Sequence, residues 1–252
     1  MQVIDNHVMR IPIRLLSIFY FITFSLNTNL SYAQIQFGPK IGLNFSVLPN
    51  NTEYIINQHI YNGYHLGAIS EFRLFEHLFL QPGVLISNKG SEYNVGNNSF
   101  STTTGLSSFQ FSGFYADIPL NLIYKYDLGA FKLFLVAGPQ VGYGLTGKWT
   151  TSYGTSSNVH FGNDSDDDLK PFDFGINFGG GVQAGRIQVS SQYYLGLRTL
   201  STLSPPLEEQ KYKVLSISIA YLFGKDKRDY KDYESKYLQN SSKSKRTRKK
   251  QQ

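Results

Sequence analysis

Between Phe114 and Thr146 the chain alternates apolar and polar residues along two arms joined by a four-residue turn, Asp127-Leu128-Gly129-Ala130. On the first arm Phe114, Ala116, Ile118, Leu120, Leu122, Tyr124 and Tyr126 share a face, opposite Tyr115, Asp117, Pro119, Asn121, Ile123 and Lys125. On the second, Phe131, Leu133, Leu135, Ala137, Pro139, Val141, Tyr143 and Leu145 share a face, opposite Lys132, Phe134, Val136, Gly138, Gln140, Gly142, Gly144 and Thr146. Successive side chains on a strand point to opposite sides, so this pattern predicts a β-hairpin with one apolar and one largely polar face. Each arm exceeds the usual strand of about five or six residues. Each is also long enough to cross a bilayer, for which a tilted strand needs about 9–11 residues.

Six further segments repeat the pattern, so eight strands are expected between Gln34 and Gly224. The first, Gln34–Val47, sets Ile35, Phe37, Ile41, Leu43 and Phe45 against Lys40, Asn44 and Ser46. The second, Gly63–Leu74, sets Tyr64, Leu66, Ala68, Phe72 and Leu74 against His65, Glu71 and Arg73. The third, His77–Ser87, sets Leu78, Leu80, Val84 and Ile86 against Gln81. After the hairpin come Pro171–Ala184, Ile187–Arg198 and Lys213–Phe223, with the same alternation. The connections alternate too. Short ones fall near Phe75-Glu76, Asp127–Ala130 and Gly185-Arg186, and long ones over 48–62, 88–108, 147–170 and 199–211. A bacterial membrane barrel has this asymmetry, with tight periplasmic turns and long extracellular loops. A soluble sandwich has no reason for it. The fold expected is all-β: an eight-stranded antiparallel up-and-down transmembrane barrel, side-chain-filled because eight strands leave little more room than that.

The inward face would then carry Lys40, Glu71, Arg73, Asp117, Asn121, Lys125, Lys132, Gln140, Asp173, Gln183, Gln192 and Arg198. Buried charges must be paired. Folding the chain about Gly185-Arg186 places Asp173 opposite Arg198, so a structural ion pair is expected there. The same procedure places Lys125 opposite Lys132, a like-charge pair in need of a carboxylate or water nearby. Aromatic residues gather at the strand ends: Phe72, Phe75, Tyr124, Tyr126, Phe131, Tyr221 and Phe223 at one, and Tyr143, Trp149, Phe172 and Phe174 at the other. Rings settle at headgroup level, so two girdles are expected.

The formal net charge of +6 is unevenly placed. Residues 225–252 hold 11 Lys/Arg against 4 Asp/Glu, a net of +7, whereas 34–224 is at −2 and 1–33 at +1. The body is therefore no basic nucleic-acid surface, and the positive charge belongs to a tail. That tail, disordered or partly helical, offers Lys243, Lys245, Arg246, Arg248, Lys249 and Lys250 for contact with an acidic periplasmic or envelope protein, an anionic polymer or inner-leaflet phosphate. Residues 1–33 read as a secretory signal peptide, with Arg10 and Arg14, an apolar run from Leu15 to Leu26, and Ser31-Tyr32-Ala33 as the cleavage pattern. The chain has no cysteine, which excludes disulfides, a lipoprotein anchor and a thiolate metal site.

Enzymatic chemistry finds little support. Of the histidines after the leader, His59 and His160 fall in long loops and His77 at a short turn. His65 points inward with no defined nucleophile at base spacing. Asp164, Asp166 and Asp168 alternate as Ca²⁺ ligands would, but no turn glycine or closing Glu completes the set. Gly179-Gly180-Gly181 lies within a strand rather than before a helix, so no nucleotide site is expected. No catalytic residue, cofactor or metal is assigned.

Several segments resemble one family. Phe37-Gly38-Pro39-Lys40-Ile41-Gly42-Leu43-Asn44-Phe45-Ser46 resembles the first strand of PorT-like outer-membrane β-barrel proteins. Tyr115-Ala116-Asp117-Ile118-Pro119-Leu120-Asn121-Leu122 is similar to that family's aromatic-x-acidic-Ile-Pro-Leu strand. Phe134-Leu135-Val136-Ala137-Gly138-Pro139-Gln140-Val141-Gly142 is similar to the Gly-Pro strand that follows. Ser216-Ile217-Ser218-Ile219-Ala220-Tyr221-Leu222-Phe223 resembles a barrel-closing segment, although here 29 residues follow it. The resemblance spans about Gln34 to Gly224. It implies an outer-membrane barrel in contact with outer-membrane lipid and, for some relatives, a link to protein secretion or gliding machinery. It carries over no catalytic residues. The domains expected are thus a signal peptide (1–33), a barrel (34–224) and a basic periplasmic tail (225–252). The role expected is that of a structural or interaction module without catalysis. The alternatives are a component of a secretion or transport assembly, a narrow channel and, more remotely, a lipid-modifying enzyme.

Overall fold

The structure, a computed structural model, describes residues 35–49, 55–95, 105, 107–163, 167–200 and 210–224. Its strands are β1 (Ile35–Val47), β2 (Ile55–His59), β3 (Tyr61–Arg73), β4 (Leu78–Val95), β5 (Ser108–Asp127), β6 (Lys132–Thr151), β7 (Ser156–Val159), β8 (Phe172–Ala184), β9 (Ile187–Gly196) and β10 (Lys213–Tyr221). Eight of them close a ring in the order β1-β3-β4-β5-β6-β8-β9-β10, every pair antiparallel. β2 and β7 are short additions that pair with the far ends of β4 and β6. Closure leaves the ring without an edge, which is what allows a sheet to sit in hydrocarbon.

The stagger of the ring can be followed residue by residue. Ile35 pairs with Phe72, then the row runs through Leu80, Leu122, Ala137, Phe178, Tyr193 and Leu215 before returning to β1 at Phe45. One circuit thus advances ten residues along β1. With strands about 4.8 Å apart and a rise of about 3.3 Å per residue, this stagger tilts the strands by about 40°.

The alternation resolves as expected over most of the ring. Ile41, Leu43, Leu66, Val84, Ile118, Leu135, Phe174, Phe178, Ile217 and Ile219 are exposed, although all are large and apolar. Such a continuous exposed apolar belt requires a nonaqueous neighbour. Tyr124, Tyr126, Phe131, Phe75 and Phe223 bound it at the short-turn end, and Tyr64, Tyr143 and Phe172 at the other. Among the described residues no helix is long and apolar enough to cross a membrane, so the crossing is made by strands.

Three features depart from the sequence expectation. First, the β5–β6 turn is Leu128–Phe131. Leu128 N donates to Phe131 O at 2.9 Å, and Asp127 Oδ1 accepts from Gly129 N at 2.9 Å, where Gly129 takes the positive φ of 87°. Asp127 therefore pairs with Lys132 and Lys125 with Phe134, and the Lys125–Lys132 opposition does not form. Second, a bulge near Phe114 leaves Leu145 unpaired on β6. Leu145 and Thr146 are both exposed, the phase reverses beyond them, and Trp149 turns inward instead of joining the outer girdle. Third, the expected long loops are partly sheet. β4 continues to Val95 and β5 begins at Ser108, so the wall rises well past the apolar belt.

Candidate functional site

The interior has three levels. At the short-turn end lies a polar floor. Lys125 on β5 donates to Glu71 on β3 in a short contact and to Gln183 Oε1 on β8 at 2.6 Å. Gln81 and Gln188 complete the set, donating to Glu71 Oε2 at 3.2 and 2.9 Å. Lys125 Nζ also lies 4.5 Å from the centre of the Phe79 ring, a cation–π contact. Inward positions on β3, β4, β5, β8 and β9 thus meet on the axis. The carboxylate needed near Lys125 is Glu71.

Above this, Lys89 on β4 enters the lumen. Its Nζ lies 2.9 Å from Asp117 Oδ1 on β5 and 4.0 Å from Asp173 Oδ2 on β8. The rings of Tyr115, Tyr194 and Tyr212 surround it with centroids at 4.9, 5.2 and 5.6 Å. Asp117 and Asp173 flank the same residue, Gly142, in one row of the sheet. The cation that meets Asp173 is therefore Lys89 and not Arg198. The β8–β9 register does continue toward the expected opposition, with Leu197 N donating to Phe174 O at 2.8 Å, but β9 ends at Gly196 and Arg198 is exposed beyond it. Lys89 lay within a stretch expected to be loop, so the sequence reading missed it.

The long-loop end is closed by an apolar cap. Leu48, Tyr93, Phe111, Tyr115, Val159, Leu169, Tyr194, Leu200, Tyr212 and Val214 form one buried cluster, with Phe109, Trp149 and Phe161 against it. Phe109 stacks on Tyr93 at 5.0 Å, and Trp149 lies 5.1 Å from Phe111. The Tyr93 hydroxyl donates to Leu48 O at 2.6 Å, tying β4 to the end of β1.

Between floor and cap His65 is buried, with Nδ1 2.8 Å from Asn44 Oδ1 and Nε2 3.0 Å from Ser218 Oγ. Both ring nitrogens are engaged in structural contacts, so His65 has none available to act as a base on a substrate. His160 and Asp168 lie at the surface, where Asp168 Oδ2 accepts from the His160 backbone N–H at 2.8 Å. Asp164 and Asp166, like the tail residues Lys243, Lys245, Arg246, Arg248, Lys249 and Lys250 and the leader 1–33, lie outside the described residues. Among the described residues no cluster of His, Asp or Glu has the arrangement of a metal site.

A closed antiparallel ring, an apolar outer belt, aromatic borders and a polar filled interior define a membrane β-barrel of the outer-membrane kind. The family model described as the outer membrane protein beta-barrel domain matches residues 25–201, and the chain belongs to that family. Similar solved structures include Ail, the attachment invasion locus protein of Yersinia pestis, determined in complex with the heparin analogue sucrose octasulfate. It shares 12% identity over 75% of this chain and 99% of that one, with a TM-score of 0.38. Neisserial surface protein A shares 12% identity over 74% and 97%, at a TM-score of 0.38. The outer membrane protein AlkL, determined in DMPC bilayers, shares 17% over 79% and 94%, at 0.32. No curated protein matches the chain. The protein is thus an outer-membrane protein, and its short-turn end faces the periplasm by the usual orientation of such barrels.

Proposed function

We propose that this is a sealed barrel of the PorT-like kind, exported by its leader 1–33, that works as a structural or interaction module and neither conducts nor catalyses. The observation that carries this reading is the double closure of the lumen. A charged polar floor and an aromatic cap block the axis in series. Ions entering from either side would meet one of them before reaching the middle. What remains for contact is the extracellular wall formed by the extended β4, β5 and β6, together with the basic tail 225–252. The tail's net charge of +7 suits an acidic periplasmic or envelope protein, as would be needed in a secretion or transport assembly.

Planar-bilayer recording on the refolded full-length protein tests the sealed reading. The expected trace is silent at moderate voltage. Steady ohmic steps would overturn the reading and make the protein a narrow channel. Affinity capture from envelope extracts, with and without residues 225–252, tests the tail: a co-purifying protein lost on deletion is the expected result.

A further inference from the structure

Between the floor and the Lys89 ion cluster lies a cavity of about 30 Å³. By the space one water occupies, it has room for about two waters or a single monatomic ion. Its wall includes Lys40, Lys89 and Asp117. Two lysines and one aspartate therefore line it.

Lys89 and Asp117 satisfy each other at 2.9 Å. Asp173 lies 4.0 Å from Lys89 Nζ and outside the cavity wall. Glu71 is held by Lys125, Gln81 and Gln188. Lys40 is left over. It is 7% exposed, and among the described residues no carboxylate lies within 4.0 Å of its ammonium and no acceptor bonds it. Burying a charge without a partner is among the most expensive things a fold can do. Two neighbours carry side-chain donors. Gln140 lines the wall and accepts from Asn177 through Oε1 at 2.9 Å, so its amide nitrogen is the end that can donate to a guest. Ser87 also lines the wall and carries a hydroxyl that can donate.

We propose that this cavity is a site for a small monovalent anion of the halide class, held by the Lys40 ammonium with the Gln140 amide and the Ser87 hydroxyl. The anion offsets the Lys40 charge locally, where no carboxylate reaches it, and is trapped there by the floor below and the cap above. It is a structural counter-ion acquired on folding, in slow exchange with the medium.

The test is to refold the full-length protein from urea into detergent in sodium bromide, and separately in sodium gluconate, whose anion is too large for the cavity. Crystals from the bromide sample are measured at the bromine absorption edge. The expected result is an anomalous peak beside Lys40 Nζ, with thermal unfolding several degrees higher in bromide than in gluconate at equal ionic strength. Lys40→Met should lose both the peak and the anion dependence. Full occupancy by non-anomalous waters, or unfolding indifferent to the anion, overturns the proposal. If Lys40→Met does not fold, the wild-type anomalous map decides the matter, and Gln140→Leu, which removes donors but no charge, should lower bromide occupancy.

Discussion

Lys89 and Asp117, separated by 28 residues in sequence, meet at 2.9 Å in the lumen with both side chains almost wholly buried. Neither can be removed cheaply. Lys89→Met would leave Asp117 and Asp173 facing one another's charge without the ammonium. Breaking a buried pair by deleting one partner costs about 3–5 kcal/mol. The expected outcome is a large fall in the urea midpoint of unfolding, read by loss of the gel-mobility difference between unboiled and boiled samples. Replacing Lys89 and both aspartates together by apolar residues of similar size should recover much of that loss. A single variant as stable as the wild type would mean that the pair contributes nothing.

Gly142 makes the cluster possible by having no side chain. A Cβ built there would lie 2.7 Å from Asp117 Oδ1, 3.4 Å from Asp173 Cβ and 3.8 Å from Lys89 Nζ. Gly142→Ala must therefore push Asp117 off its lysine. Overpacking of this kind typically costs about 1–3 kcal/mol, and unfolding midpoints should fall accordingly. Gly129→Ala serves as the contrast. No atom lies within 4 Å of its would-be Cβ, so its cost is confined to the strained φ of 87°. Equal effects with unchanged Lys89–Asp117 geometry would remove the steric argument.

The alternation that made the barrel legible is itself a product of the membrane. Where outward positions face lipid they must be apolar, and Leu120, Leu122 and Tyr124 set against Asn121, Ile123 and Lys125 announce a strand. Beyond the belt that demand lapses. Asn88 to Asn94 continues β4 with no apolar outward row, so the stretch looks like loop and conceals Lys89. The floor was legible in its members but not in its pairing. Periodicity places Lys125 inward, but its partner Glu71 sits two strands away, and only the closed ring brings them together. The Asp173–Arg198 expectation failed for a local reason: β9 stops two residues short, and the lumen supplies a better-placed cation. The bulge at Leu145 has no marker in the sequence, and with it went the placement of Trp149.

Trp149 is the one tryptophan in the chain, so its fluorescence reports a single place. Its ring packs with Phe109, Phe111 and Tyr93 inside the cap, at 5.7, 5.1 and 6.2 Å between centroids. A girdle tryptophan would be quenched strongly by bromine or nitroxide carried on lipid near the headgroups. Here the expected result is weak quenching by lipid-borne groups at every depth, with a blue-shifted emission that moves red on unfolding. Strong quenching at interfacial depth would return Trp149 to the outer surface and remove the phase reversal after Leu145.

The two closures of the lumen act in series, and this gives the sealed reading its sharpest consequence. Opening one should leave the other in place. Glu71→Ala together with Lys125→Ala removes the floor without stranding a charge, since both partners go at once. Phe111→Ala together with Trp149→Ala thins the cap. Each double variant that still shows the folded gel mobility should remain silent in planar bilayers or pass only rare, brief events. The quadruple variant should show sustained steps, with a conductance set by the narrow middle where Lys40, Asn121 and Gln140 face inward. Should the floor variant conduct as fully as the quadruple one, the cap would be permeable, and the wild-type seal would rest on Glu71 and Lys125 alone.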